Sequence, residues 1–196
     1  RFFFFTFLLY YLEMKEPGSN KSFLSEMIET LAASFVVLFF VSIGIGSIEQ
    51  VWGPSMEPNF YTGERILVEK VTKHFIPFKR GEVVIVDSPT SKGKHFIKRV
   101  VGLPGDIIKV YDCGIFIVNG DKKYFLDEQY LENGTCTIGG AELKNGRSLV
   151  IPEDSYMVLG DNREHSADSR AFGFLAKSEI IGRVVFRFWP PTKIGF

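Results

Sequence analysis

The 196-residue chain carries 23 basic and 23 acidic side chains, so it lacks the basic excess that a phosphate backbone demands, and nucleic acid is not an expected partner. Its three histidines and two cysteines stand far apart in no metal-ligand spacing, which leaves a metal site or cofactor without support. Outside one long apolar run, about 150 residues remain, enough for one well-buried domain with a small insert but not for two independent domains.

The chain opens on Arg1, and its first apolar segment, Phe2 to Leu12, is too short to span a bilayer. Met14 begins a polar lead into the longer run, so residues 1–13 are expected to be an upstream extension that the native protein lacks. From Thr30 to Ile48, 19 residues pass without a charge between Glu29 and Glu49. As a helix this run measures about 28 Å, the thickness of a hydrocarbon core. A cleaved leader is the alternative, but no small-x-small site stands apart from the run. The expectation is a cytoplasmic lead over 1–29, a retained anchor over 30–48 and the main domain outside, since Lys15 and Lys21 precede the run and no basic residue follows it before Arg65.

Beyond the run, short stretches of β-branched and aromatic residues alternate with Gly, Pro and Asp. They predict strands at Arg65–Lys70, Glu82–Asp87, His95–Val101, Ile107–Tyr111, Ile115–Asn119, Ser148–Ile151, Ser155–Leu159 and Gly182–Phe188. No segment past Ile48 shows a helical period, so the domain is expected to be all-β, and Asn119-Gly120-Asp121 reads as a hairpin turn. A more polar stretch, 112–146, reads as an inserted subdomain within a main domain of 49–111 and 147–196. An extracytoplasmic location favours a disulfide between its cysteines, Cys113 and Cys136, worth about 3 kcal/mol by loop entropy; two buried free thiols are the alternative.

Three stretches carry chemistry. In Val51-Trp52-Gly53-Pro54-Ser55-Met56-Glu57-Pro58-Asn59-Phe60, prolines and glycine keep the backbone out of helix, so the Ser55 hydroxyl sits on a stiff turn. Such a turn suits a nucleophile and equally suits an exit from a membrane helix. The candidate bases are His74, His95 and His165, which nothing in the sequence organises into a triad, or a lysine brought down from its usual value of about 10.4 by burial. Lys98 is the best placed, because strand alternation sets it on one face with Phe96 and Val100. The same alternation leaves open whether Lys98 or Arg99 faces the core, although an arginine cannot act as a base. The third stretch runs from Gly160 to Gly173 and is dense in hydrogen-bonding side chains.

Together these stretches resemble bacterial signal peptidase I, the membrane-anchored serine endopeptidase with a Ser-Lys dyad. The resemblance rests on Ser55-Met56-Glu57-Pro58, on Gly63 to Lys70, on Phe96-Ile97-Lys98-Arg99-Val100-Val101-Gly102-Leu103-Pro104-Gly105-Asp106, and on Gly160-Asp161-Asn162-Arg163 with Ser166, Asp168, Ser169, Arg170 and Gly173. It implies a mainly β fold, a coiled antiparallel β-sheet catalytic domain with a small inserted β subdomain behind one transmembrane helix. It further implies Ser55 as nucleophile and neutral Lys98 as general base, needing no cofactor and no metal. Ser166 is implied to hydrogen-bond the Lys98 amine, and Asp168 and Arg170 to form an ion pair holding the last block against the catalytic strand. The implied partners are membrane lipid and the signal peptides of exported preproteins, cut at the outer face of the cytoplasmic membrane. Val51, Met56, Phe60, Phe96 and Ile97 match positions that line the pockets for small substrate side chains.

Three departures stand out. Gly53 occupies a place where some members carry a serine that helps bind the oxyanion, Asn59-Phe60 replaces the more usual Thr-Leu and touches pocket shape, and the insert is short. The rival readings are a specialised peptidase for one secretion or conjugation precursor and an inactive homologue that binds signal peptides without cutting.

Overall fold

The computed structural model describes residues 23–91 and 93–195, with side chains 37–45 left aside. The expected extension over 1–13 and most of the lead lie outside the described residues. The chain divides into two units, 1–41 and 42–196. Within the first, helix α1 begins; it spans Phe23–Ile45. Threonine and serine in α1 return their hydroxyls to the preceding turn, Thr30 to the Glu26 carbonyl and Ser34 to the Thr30 carbonyl, so neither offers a free polar group. The helix starts ahead of the predicted anchor and stops short of its end, because Gly46, Ser47 and Ile48 belong to the first strand. Among the described residues no helix is long and apolar enough to cross a membrane.

Eleven strands follow among the described residues: β1 (Gly46–Gln50), β2 (Arg65–Glu69), β3 (Val83–Asp87), β4 (His95–Gly102), β5 (Ile107–Tyr111), β6 (Gly114–Asn119), β7 (Lys122–Phe125), β8 (Ser148–Val150), β9 (Ser155–Leu159), β10 (Leu175–Ala176) and β11 (Ile180–Trp189). They form two antiparallel sheets, one ordered β1-β2-β11-β3-β4-β9-β10 and one ordered β7-β6-β5-β8. Register shifts in β11 against both of its neighbours, and in β4 against β9, add local bend and twist to the larger sheet. The mainly β expectation therefore holds, and all eight predicted strands are present with small changes at their ends. β1, β7 and β10 escape the sequence pattern: β1 is hidden in the tail of the apolar run, β7 (Lys-Lys-Tyr-Phe) has no buried position, and β10 has two residues. The second correction is a short helix, α2 (Ser169–Phe172), capped by the Asp168 carboxylate, too brief to show a period. The turn at 119–121 does close a hairpin, with Asn119 opposite Lys122.

The smaller sheet reaches from 107 to 150, wider than the predicted insert, because β5 and β8 supply its centre and edge. It is not separate from the main core. Val101, Met157 and Leu159 of the large sheet share one buried cluster with Ile108, Val110, Ile115 and Ile117 of the small one. A second cluster packs Val51, Met56 and Phe60 against Ile66, Val68, Val83, Ile85 and Ile97, which fastens the loop between β1 and β2 onto the sheet. Cys113 and Cys136 are joined in a disulfide across their 23-residue separation, and the Thr137 amide donates to the Cys113 carbonyl beside it.

Candidate active site

Ser55 sits in the loop between β1 and β2, and the loop is closed by backbone bonds at its base, Val51 N–H to the Glu64 carbonyl and Gly63 N–H to the Val51 carbonyl, both 2.9 Å. Within it the Glu57 amide donates to the Pro54 carbonyl and the Phe60 amide to the Met56 carbonyl, giving two successive turns around the serine. Gly53 enters these turns at φ +82°, a region that strains any residue with a Cβ, which gives a backbone reason for glycine at that departure. Met56 and Phe60 are buried on either side of the turn tip. Ser55 itself is only half-buried.

Lys98 approaches from β4, where its backbone partner is Val84. Its side chain is 2% exposed, and its Nζ lies 2.8 Å from Ser55 Oγ and 3.0 Å from the Ile97 carbonyl. The Phe96 ring lies 5.2 Å away on the same strand face. Burial pushes the amine down from 10.5 to about 8; the Asp168 and Asp161 carboxylates oppose the shift, and the Arg170 guanidinium reinforces it. At pH 7 about one lysine in ten is then neutral, against about one in a few thousand for an exposed one. The ambiguity between Lys98 and Arg99 is resolved by a carboxylate: Arg99 is taken up by Asp161 at 2.8 and 2.6 Å and stacks 4.1 Å from the Tyr130 ring.

Among the described residues none of the histidines bonds Ser55. His74 and His165 are exposed, and His95, 41% exposed, faces Glu49 at 3.6 Å and Asp87 at 3.8 Å. No group of three or more His, Cys, Asp or Glu side chains among those residues is placed to hold a metal ion.

The Gly160–Gly173 block closes over the pair. The Asn162 amide donates to the Ser55 carbonyl at 3.1 Å. A Cβ on Gly160 would stand 2.4 Å from that same carbonyl oxygen and 2.2 Å from Ser166 Oγ, so only glycine admits both. Asp168, fully buried, pairs with Arg170 at 2.8 Å and accepts the Gly160 amide at 3.1 Å. That bond anchors the block to the end of β9, the neighbour of β4, rather than to β4 directly. Ser166 differs from expectation. Among the described residues its buried Oγ has no hydrogen-bond partner, so the expected bond to the Lys98 amine is not made; that amine donates to Ser55 Oγ and the Ile97 carbonyl.

The five residues implied for substrate pockets do not share one setting. Val51, Met56, Phe60 and Ile97 lie inside a single core cluster at 5% exposure or less, whereas Phe96 is half-buried and packs on another. Sequence reasoning missed the supports: the Arg99–Asp161 pair, Asn59 reaching Asp161 at 2.8 Å, and Arg163 bound to Glu128 of the insert at 2.9 Å. Arg163 and Asp161 were legible only as members of the third block, and nothing in the polar stretch distinguished Glu128 from a solvated carboxylate. Burial and Glu128 together drive the Tyr130 phenol well above its usual range, so Tyr130 stays neutral.

The signal peptidase, peptidase S26, family profile matches residues 24–189. Signal peptidase IB of Staphylococcus aureus (strain MRSA252) is 38% identical over 187 residues, 90% of this chain and 95% of its own length. Signal peptidase I of Leptolyngbya laminosa is 34% identical over 180 residues, 88% of this chain and 83% of its own. The crystal structure of a signal peptidase I from Enterococcus faecalis V583 matches 56% of this chain and 98% of its own, with a TM-score of 0.46 and 28% identity. On the family profile and the two sequence relatives, the chain belongs to the signal peptidase family, peptidase S26.

Proposed function

We propose that this chain is a membrane-bound signal peptidase I that cuts leader peptides from exported preproteins with Ser55 as nucleophile and Lys98 as general base. The observation that carries the proposal is the 2.8 Å contact between Ser55 Oγ and a lysine amine that burial brings down to about 8. Neutral Lys98 accepts the hydroxyl proton as Ser55 Oγ attacks the scissile carbonyl, gives it to the leaving amine, and then activates the water that hydrolyses the acyl-enzyme. The Ser55 N–H supplies an oxyanion donor. Gly53 contributes no hydroxyl, so backbone and water carry the share that a serine carries in some relatives.

The substrate adds as a strand. β4 is laddered to β3 along His95–Arg99, while its pairing with β9 begins only at Arg99, which leaves the His95–Lys98 edge open beside Ser55. An extended leader segment pairs there through its main chain. Its small side chains settle over the buried floor of Val51, Met56, Phe60 and Ile97, with Phe96 at the margin. Asp168 and Arg170 hold the closing block, and Ser166 turns its unpartnered hydroxyl to Lys98 when the amine releases Ser55.

A membrane location for this chemistry is supported by the exposed apolar side chains of α1. Phe23, Leu31 and Phe35 are 82%, 62% and 71% exposed on α1, and an apolar surface of that kind fits lipid contact. The uncharged run 30–48 supports a single anchor, and the basic Lys15 and Lys21 ahead of it support an extracytoplasmic main domain, where an oxidising compartment would preserve the Cys113–Cys136 bond. The test incubates a presecretory protein with the full chain and with Ser55→Ala, and sequences the new N-terminus. Cleavage after a small-x-small segment by wild type alone is the expected result, and an equally active Ser55→Ala would end the proposal.

A further inference from the structure

Nothing in the strand ladder forces Ser55 and Lys98 together. The serine follows β1 and precedes β2, the lysine is on β4, and β11 and β3 stand between those strands in the sheet. Register between nucleophile and base must come from contacts outside that ladder. Two links join the serine loop to the block after β9: the Asn162 amide to the Ser55 carbonyl at 3.1 Å, and Asn59 Nδ2 to Asp161 Oδ2 at 2.8 Å. Asp161 is itself clamped by Arg99, the residue next to Lys98. Ser55, Asn59, Asp161, Arg99 and Lys98 thereby close a ring of chain segments and charged hydrogen bonds around the reacting atoms.

We propose that Asn59 is a positioning residue that keeps Ser55 aimed at Lys98 by donating its side-chain amide to Asp161. This rests on the dyad reading given above. The amide is the group that fits. Its second N–H reaches the Tyr130 carbonyl at 2.7 Å, so both donors meet acceptors, and the orientation of the amide is dictated by its partners. A threonine, the more usual residue here, has one donor for two acceptors. Asn59 is also fixed from behind, because its own carbonyl accepts from Arg187 Nη1 at 2.6 Å and the next residue, Phe60, is buried. A pull on this side chain is therefore transmitted along four residues of turn to Ser55 rather than absorbed by a loose loop.

A purely structural role for Asn59 would lower thermal stability and leave turnover intact in the molecules that fold. The experiment separates the two by measuring kcat, KM and the pH profile for cleavage of a presecretory substrate, using the full-length chain well below the Tm of each variant. Asn59→Asp keeps the shape, removes both donors and sets a second carboxylate against Asp161. Its kcat is expected to fall about 100-fold with KM within about twofold, the size of loss that a misplaced reacting group produces. The acid limb of its profile moves to higher pH, since the added carboxylate favours protonated Lys98. Asn59→Thr, with one donor left, loses about tenfold in kcat and keeps the limb where it was. A folded Asn59→Asp with wild-type kcat, or a loss confined to KM, overturns the proposal. If Asn59→Asp does not fold, the kcat and KM of Asn59→Thr decide by the same criteria. Ser55→Ala runs beside them: cleavage surviving in that variant brings down the dyad itself, whereas an inactive Ser55→Ala with fully active Asn59 variants brings down only the role of Asn59.

Discussion

Lys98 shows how burial enlarges the share of a residue that is in a form it rarely takes in water. Its ammonium has two hydrogen-bond acceptors, Ser55 Oγ and the Ile97 carbonyl, and an apolar setting that disfavours charge. The lowered value has a definite sign for activity. Below about 8 each unit of acidification removes about nine-tenths of the remaining neutral amine, so kcat/KM on a preprotein is expected to fall with a slope near one toward pH 5. A rate flat from pH 8 to 5 would show that no group like Lys98 limits the reaction. The sign for stability follows from the same shift. The folded state binds the Lys98 proton less tightly than the unfolded chain, so its burial costs stability below about 8, and the cost is relieved as pH rises toward 10.5. The chain carries that cost at the position where the proposed mechanism requires a neutral amine.

At the level of elements, the site is a junction of one loop, one strand and one block, each held by different physics. The loop is pinned by buried Met56 and Phe60, the strand by its ladder to β3, and the block by the Asp168–Arg170 pair and by Gly160. Gly160→Ala is expected to push the Ser55 carbonyl and Ser166 outward, destabilising the fold by about 1–3 kcal/mol as overpacking does. Cleavage should drop at least tenfold, and a fully active Gly160→Ala would mean that the block does not bear on the serine. Replacing Cys113 and Cys136 together by serine removes a loop constraint worth about 3 kcal/mol, which calorimetry on a domain of this size reads as a fall of about 10 °C in Tm. An unchanged Tm would show that the unfolded chain gains nothing from the bond. These elements were unequally legible. β5 could be read to the residue because its alternating burial leaves a period-two signature in Ile107-Ile108-Lys109-Val110-Tyr111, and β9, buried at four successive positions, because a short apolar run stands between turn residues. β1 could not, because its Gly-Ser-Ile start continues the composition of α1. Ser55 and Lys98 stood out by residue type and local pattern and Asp168 by the family resemblance, but Asn59, Asp161 and Glu128 act through contacts made over separations of 102 and 35 residues, which no local pattern reports.

For the molecule as a whole, the insert is better described as a buttress than as an appendage. Its small sheet shares a core cluster with the large one, and the segment after Cys136 is stitched to the catalytic block. The Arg170 guanidinium reaches the Ile138 carbonyl, Arg163 reaches Thr137 and Glu128, and the Glu142 amide returns to the Arg170 carbonyl. The block that covers Ser55 and Lys98 is thus supported from both sheets. Whether this frame brings a neutral lysine to a serine is tested most directly by comparing wild type with Lys98→Met for initial cleavage rate on one presecretory substrate, with thermal unfolding recorded at the same pH. Methionine fills the space without a proton acceptor and without the burial cost. The account predicts a variant at least as stable as wild type at pH 7, by up to about 3 kcal/mol, and slower in cleavage by about a thousandfold or more. A Lys98→Met protein that still cleaves within about tenfold of wild type would contradict it.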